Sequence, residues 1–299
     1  MKSPLQAGPD GRACPAKLLE RSRVPAPPEK RFVIRQALHR WLVVAVLVCS
    51  NAVRANAGEA PEVRPPSDQI YKVRYLPAAR IVIDGRADEQ DWSLAAAEKH
   101  FIFPWKQAPA PATEFRALCD GKFLYFTFRI EDADIFVLDK LRDEEDAMFE
   151  DRAELYFSRD DKMKDYYCLE VDSRGRAFDY RGTFYRELDP KWNCAGLETK
   201  ASPLARGYVV EGRIPWAVFE ALGFPPLRPG AKILCGIFRA EFSHDRGGKP
   251  VEQKESIHNR GRKLAGPPPI EEWMAWVDPH TKEPDFHVPS SLGWLEITK

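Results

Sequence analysis

From residue 71 to the C-terminus, apolar and polar residues change places at every second position. Leu124, Phe126, Phe128 and Ile130 alternate with Tyr125, Thr127 and Arg129, and Ala153, Leu155 and Phe157 with Glu154 and Tyr156. Tyr167, Leu169 and Val171 alternate with Cys168, Glu170 and Asp172, and Tyr208, Val210 and Ile214 with Val209, Glu211 and Arg213. A period of two is that of a strand, whose successive side chains point to opposite faces, so one set belongs to a core and the other to a face. Further strands are predicted near 73–75, 80–83, 114–118, 176–180, 233–242 and 292–297. Helical signals are weak: a turn or two over 88–97, and one over 215–222 opened by Pro215. Many short strands, 26 prolines and little helix predict an all-β fold, an antiparallel β-sandwich of jelly-roll or immunoglobulin-like type with few short helices. No internal repeat or break in composition interrupts 71–299, which reads as one domain.

Two predicted loops are long. Segment 132–151 is acidic, and segment 243–272 is polar and basic. Long loops on a sandwich are places where binding resides, although many are solvated insertions.

The N-terminal region follows another pattern. Arg31, Arg35 and Arg40 precede an apolar run from Trp41 to Cys49, and Ala55-Asn56-Ala57 supplies small residues. This is the layout of a secretory signal, with cleavage predicted after Ala57. The run is too short to span a bilayer, which leaves a short membrane anchor as the alternative. Residues 1–57 are thus read as an N-terminal extension with a signal peptide, and 58–70 as a Pro-rich linker. The expected location is secreted, periplasmic or on the cell surface, with no stable membrane span after cleavage.

The chain has 45 Lys/Arg and 45 Asp/Glu. Ten of the basic and three of the acidic residues lie in 1–57, so 58–299 keeps 35 and 42, a net charge of −7. An acidic domain argues against binding a nucleic-acid backbone, which needs a basic face. Cys119, Cys168, Cys194 and Cys235 remain after cleavage. They are even in number, and three of them lie in apolar runs, so disulfides and buried thiols both stay open. No Cys-x-x-Cys, Gly-x-Ser-x-Gly, His-Glu-x-x-His or P-loop pattern occurs.

Six patches recur in a telling order: Ile83-Asp84-Gly85 with Asp91-Trp92, then Leu124 to Phe128, then Glu150 to Phe157. Gly207-Tyr208-Val209-Val210-Glu211 running into Ile214-Pro215-Trp216 comes next, followed by Trp276-Val277-Asp278-Pro279 and by Phe286 to Pro289 with Leu292-Gly293. Order and spacing together resemble the family 9 carbohydrate-binding modules. The resemblance implies non-catalytic capture of a poly- or oligosaccharide between two aromatic rings, and a link to polysaccharide breakdown. It places the clamp at Phe149 and Phe286, where characterised members carry tryptophan. It makes Glu154 and Glu170 hydroxyl partners, to which His287 can be added as a donor. Trp92, Trp216 and Trp276 fall at positions that look structural, while Trp105, Trp192 and Trp273 are free to extend a platform. No cofactor is required. Members can carry structural calcium, and Asp132, Asp134 and Asp143 supply hard oxygen ligands for it, although the spacing is not that of an EF-hand and a solvated acidic loop is the favoured reading.

Two other classes stay open. A haem-binding sandwich of the DOMON type would draw axial ligands from His100, His244, His258, His280, His287, Met148, Met163 and Met274. A sandwich that binds a protein partner without sugar affinity is the other. Glu154 and Glu170 could also form an acid–base pair for glycoside hydrolysis, which no motif supports.

Overall fold

The structure is a computed structural model, and it describes residues 63–243 and 270–299. The signal peptide, its cleavage site, His244, His258 and most of the basic loop lie outside the described residues. Glu59–Lys299 forms one compact unit.

The described residues form twelve strands: β1 (Ile70–Tyr75), β2 (Thr113–Cys119), β3 (Phe123–Ile130), β4 (Arg152–Ser158), β5 (Asp165–Asp172), β6 (Ala177–Thr183), β7 (Glu187–Asp189), β8 (Glu198–Pro203), β9 (Tyr208–Pro215), β10 (Lys232–Ser243), β11 (Ile270–Ala275) and β12 (Gly293–Thr298). Among the described residues the helical content is one short helix, α1 (Trp216–Ala221), and 3₁₀ turns at Gln90–Leu94, Glu144–Phe149 and Pro289–Ser291. Hydrogen bonding runs in the order β7-β6-β5-β4-β10-β12-β1-β2-β3-β9-β8, with β11 added to the far end of β10.

This continuous sheet curls until its two halves face each other. Between them lies the main core, with Leu155, Phe157, Leu169 and Ile237 from one half and Phe115, Phe126, Phe128 and Val210 from the other. These are the apolar sets of the alternating runs, so period two places them as expected. Two corrections concern pairing. The sheet is mixed rather than purely antiparallel, since β1 runs parallel to both β12 and β2; alternation is blind to strand direction. Segment 80–83 is extended but joins no ladder. Two of its N–H groups are taken by side chains, Arg80 N donating to Asp91 Oδ2 at 2.7 Å and Val82 N to Glu89 Oε1 at 2.9 Å.

The third correction matters for function. The polar set of β4 and β5 does not face water, because every residue of β4 is buried. The outer face of β4-β5-β6-β10 carries a second core of Tyr156, Tyr166, Phe178, Tyr180, Phe238 and Phe286, covered by Ala147 and Leu292. Cys119, Cys168, Cys194 and Cys235 are all free and buried, which decides for thiols over bridges.

The motifs of the opposite half lock one another. Buried Glu211 on β9 accepts from Gly85 N at 2.9 Å, Asp84 N at 3.1 Å and Trp92 Nε1 at 3.0 Å. Ile83-Asp84-Gly85, Trp92 and the β9 run are therefore one structural unit. Trp92, Trp216 and Trp276 are buried, as their positions predict. Among the described residues, no helix is long and apolar enough to cross a membrane.

Candidate functional site

The second core is not simply apolar. β4 and β5 pair so that Glu154 lies opposite Glu170, and β10 sets Phe238 on the other side of Glu154. Arg152, two residues before Glu154 and so on the same face, reaches both carboxylates. Its Nη2 lies 2.9 Å from Glu154 Oε1 and its Nε 2.7 Å from Glu170 Oε2. Its Nη1 donates to the Met148 carbonyl at 2.6 Å, tying the Glu144–Phe149 turn to the network. The guanidinium also lies over the rings of Trp273, at 5.4 Å, and Phe242, at 5.6 Å.

Tyrosines extend the network. Tyr180 Oη donates to Glu170 Oε1 at 2.9 Å, and Tyr156 Oη to the same oxygen at 3.3 Å. The Tyr156 ring packs on His287 at 5.3 Å, and His287 Nδ1 shares a 2.9 Å hydrogen bond with Tyr166 Oη. The backbone N–H of His287 donates to Asp285 Oδ1 at 2.8 Å, and Tyr185 Oη donates to Asp285 Oδ2 at 2.5 Å. Two glycines make room for the rings. A Cβ at Gly182 would meet the Tyr166 ring at 2.0 Å, and one at Gly236 the Phe238 ring at 2.2 Å.

Aromatic rings form the rim. Phe286 stacks on Phe238 with centroids 4.1 Å apart, and Trp273 and Trp105 stand at 6.0 and 5.4 Å from Phe286. Trp105, Trp273 and Met148 are half-buried, whereas the rings and carboxylates behind them are buried.

Four of the five sequence-predicted residues, Glu154, Glu170, Phe286 and His287, thus meet in one cluster. Phe149 sits beside it, flanked by the two residues, Met148 and Glu150, whose carbonyls accept from Arg152. The form of the clamp is corrected. Phe149 and Phe286 are 3% and 5% exposed, and one face of Phe286 is filled by Phe238, so neither is an open ring at a loop end. Glu154 and Glu170 are likewise buried rather than outward. Sequence reasoning missed Arg152, Tyr156, Tyr166, Tyr180 and Phe238. The signal was present in the face set of β4–β6, which is rich in aromatic and charged residues rather than in small polar ones.

One guanidinium serves two carboxylates, and this shapes their titration. Burial above all, then the neighbouring Glu170, pushes the Glu154 carboxyl up to about 8, against the pull of Arg152. Burial works against the charge on Arg152, but Glu170 and Glu154 outweigh it and hold the guanidinium above its usual range. Glu150 is pushed up to about 8, Asp151 to about 9 and Glu241 to about 7, in each case chiefly by burial. Between about pH 4.5 and 8 the folded chain therefore binds more protons than the unfolded chain, and stability falls as pH rises. Thermal unfolding should show the midpoint dropping from pH 5 to pH 9, and Glu154→Gln should flatten that slope. A midpoint that rises over this range would contradict the burial of these acids.

The acidic loop is fixed by its own carboxylates. Asp151 accepts from Phe136 N and Phe242 N at 2.5 Å each, Glu150 from Leu138 N at 2.5 Å, and Asp146 from Arg142. Asp132 Oδ1 accepts from Asp134 N at 2.7 Å, and Asp143 is exposed at the start of the 3₁₀ turn. The three aspartates expected to bind calcium do not converge: among the described residues no group of three or more His, Cys, Asp or Glu is arranged to hold a metal ion. Of the haem-ligand candidates, Met163 and Met274 are fully buried and His287 is engaged by Tyr166.

The sequence profile of the carbohydrate family 9 binding domain-like family matches residues 83–259. The chain belongs to this family. Its domains are non-catalytic binding modules. Among solved structures, a candidate carbohydrate-binding protein of Bacteroides uniformis ATCC 8492 is similar with 16% identity and a TM-score of 0.53, over 77% of this chain and 100% of that one. A family 9 carbohydrate-binding module of Caldicellulosiruptor kristjanssonii, solved with glucose, has 14% identity and a TM-score of 0.44, over 77% of this chain and 96% of that one. The same organism's module solved with cellotriose gives 14% and 0.44, over 77% and 94%. No curated protein matches the sequence.

The buried carboxylate pair of this family member bears on the acid–base alternative. Glu154 and Glu170 lie side by side on neighbouring strands and on one guanidinium, not across a cleft from each other.

Proposed function

We propose that this chain is an exported, non-catalytic carbohydrate-binding protein whose sugar site is the aromatic rim over the Arg152–Glu154–Glu170 network. The convergence of Glu154, Glu170, Phe286 and His287 beneath Trp105 and Trp273 carries this reading. A pyranose offers an apolar C–H face and a ring of hydroxyls. The half-buried indoles suit the first, and the network beneath suits the second. Glu154 Oε1 and Glu170 Oε2 face Arg152 at 2.9 and 2.7 Å, while Glu154 Oε2 is buried away from the guanidinium, so acceptor capacity at the base of the rim rests on that oxygen. Phe286 acts from behind the rim, packing against both indoles, while Phe149 and His287 stay buried beneath it. The protein would serve the recognition of polysaccharide during its breakdown outside the cytoplasm.

Isothermal titration of the 58–299 protein with glucose and cellotriose tests this. Stacking of one or two sugar rings should give a dissociation constant of about 10 μM to 1 mM. Trp273→Ala should weaken binding at least about ten-fold, equivalent to about 1.4 kcal/mol, with the unfolding midpoint little changed because the indole is only half-buried. Equal affinity in the variant would move the site elsewhere, and a flat titration across neutral oligosaccharides would favour a partner-binding sandwich.

A further inference from the structure

The opposite outer face, on the β2-β3-β9 half of the sandwich, carries a trough that the sugar site does not use. Two hollows of about 410 and 320 Å³ open on it and share Glu114 and Arg129 in their walls. Their size is that of ordinary small-molecule sites. The first is lined also by Lys99, Glu131 and Arg206, and the second by Arg86, Glu89 and Arg116. Arg86 is paired at its own end of the trough with Asp84 and, at 3.8 Å, with Asp88, so the cations of the trough are matched by carboxylates on a domain whose overall charge is negative, and what matters is how the pairs fall.

The pairing inside the trough leaves one cation over. Glu114 is taken twice, by Lys99 Nζ at 2.9 Å and by Arg116 Nε at 2.6 Å. Arg116 is fixed further by donating to the carbonyls of Trp92 and Ala95. Arg206 meets Glu131 only at 3.9 Å, with both side chains largely in solvent. Arg129 stands directly across the β2–β3 ladder from Glu114 and has Val209 on its other side. With Glu114 engaged by two other cations, the exposed Arg129 guanidinium makes no ion pair or side-chain hydrogen bond among the described residues. It projects from β3, paired on both sides, where the two hollows meet.

We infer that this trough is a second binding site, and that it takes a carboxylated saccharide whose uronate carboxylate pairs with Arg129. The planar guanidinium offers two parallel donors that match a carboxylate. Glu131 and Ser93, on the rim of the two hollows, offer partners for hydroxyls. The opposed faces separate two chemistries. The sugar site has two carboxylates to one guanidinium at its base and suits neutral sugars, while the trough holds one exposed guanidinium outside its ion pairs.

Titration of the 58–299 protein with tri-galacturonate, its methyl ester and cellotriose tests this. The acid trimer should bind, and its affinity should fall several-fold between about 0.05 and 0.5 M salt as the charges are screened. The methyl ester keeps the shape and loses the charge, so it should bind at least ten-fold more weakly. Arg129→Glu should abolish acid-trimer binding and Arg129→Gln should weaken it at least ten-fold, both with unchanged unfolding midpoints because the side chain is exposed. Trp273→Ala should leave acid-trimer binding intact. No binding of the acid trimer, equal binding of its ester, or binding that survives Arg129→Glu would overturn the assignment. Equal binding of a short poly-glutamate peptide would overturn the saccharide part of it. Cellotriose reports on the other face, so either site can fail alone.

Discussion

Arg152→Met is expected to destabilise the domain by about 3–5 kcal/mol, the largest loss from any one polar side chain in this chain. Arg152 is 2% exposed and its partners Glu154 and Glu170 are as deeply buried. Removing the guanidinium leaves the buried Glu154–Glu170 pair without its counter-charge, so that the pair must take up a proton or carry an uncompensated charge in a low-dielectric layer, and it strips the Met148 carbonyl of a donor. Methionine keeps much of the volume, so the loss reports charge rather than a cavity. Urea unfolding of Arg152→Met, and of the same variant with Glu154→Gln and Glu170→Gln, measures it. The triple variant should recover part of the loss because no uncompensated charge remains. A loss below about 1 kcal/mol in the single variant would mean that the carboxylates are not buried as described.

Glu211→Ala should cost about 3 kcal/mol, because it leaves three donors without their acceptor: Gly85 N, Asp84 N and the Trp92 indole. The effect is local as well as energetic. Ile81 and Trp92 pack with Leu118 and Tyr125 in a small third core, and Glu211 joins the segment that carries them to β9. Urea unfolding measures the loss, and hydrogen exchange at the Trp92 indole should accelerate ahead of the sheet. Glu211→Gln keeps one acceptor oxygen and should lose roughly half as much. An unchanged indole exchange rate in Glu211→Ala would show that the motif is held by packing alone.

Much of the architecture was legible because strand periodicity is a direct record of which face a side chain takes. Leu155, Phe157, Leu169 and Val210 are where alternation puts them. The short strands β7 and β8 went unseen because their residues are polar and at an edge, where no buried face imposes a pattern. At the candidate site, Glu154, Glu170, Phe286 and His287 were named from an ordered set of motifs, but their setting was not. Alternation reads Glu154 as solvent-facing because it cannot know that Phe286 and the Glu144–Phe149 turn return to cover β4. The acidic loop looked like a cation site for the same reason: composition gives the carboxylates, while only the fold shows them taking backbone N–H groups and arginines.

The sequence by itself determined the all-β class, the strands of the main core and the buried roles of Trp92, Trp216 and Trp276, since each follows from local period or motif order. Tertiary structure alone decided the parallel placement of β1, the free state of the four thiols and the gathering of Arg152, Tyr156, Tyr180, Trp105 and Trp273 around the two glutamates. These depend on which distant segments the curled sheet brings together, from residue 105 to residue 287. Period and spacing fix a side chain's face but not what lands on that face.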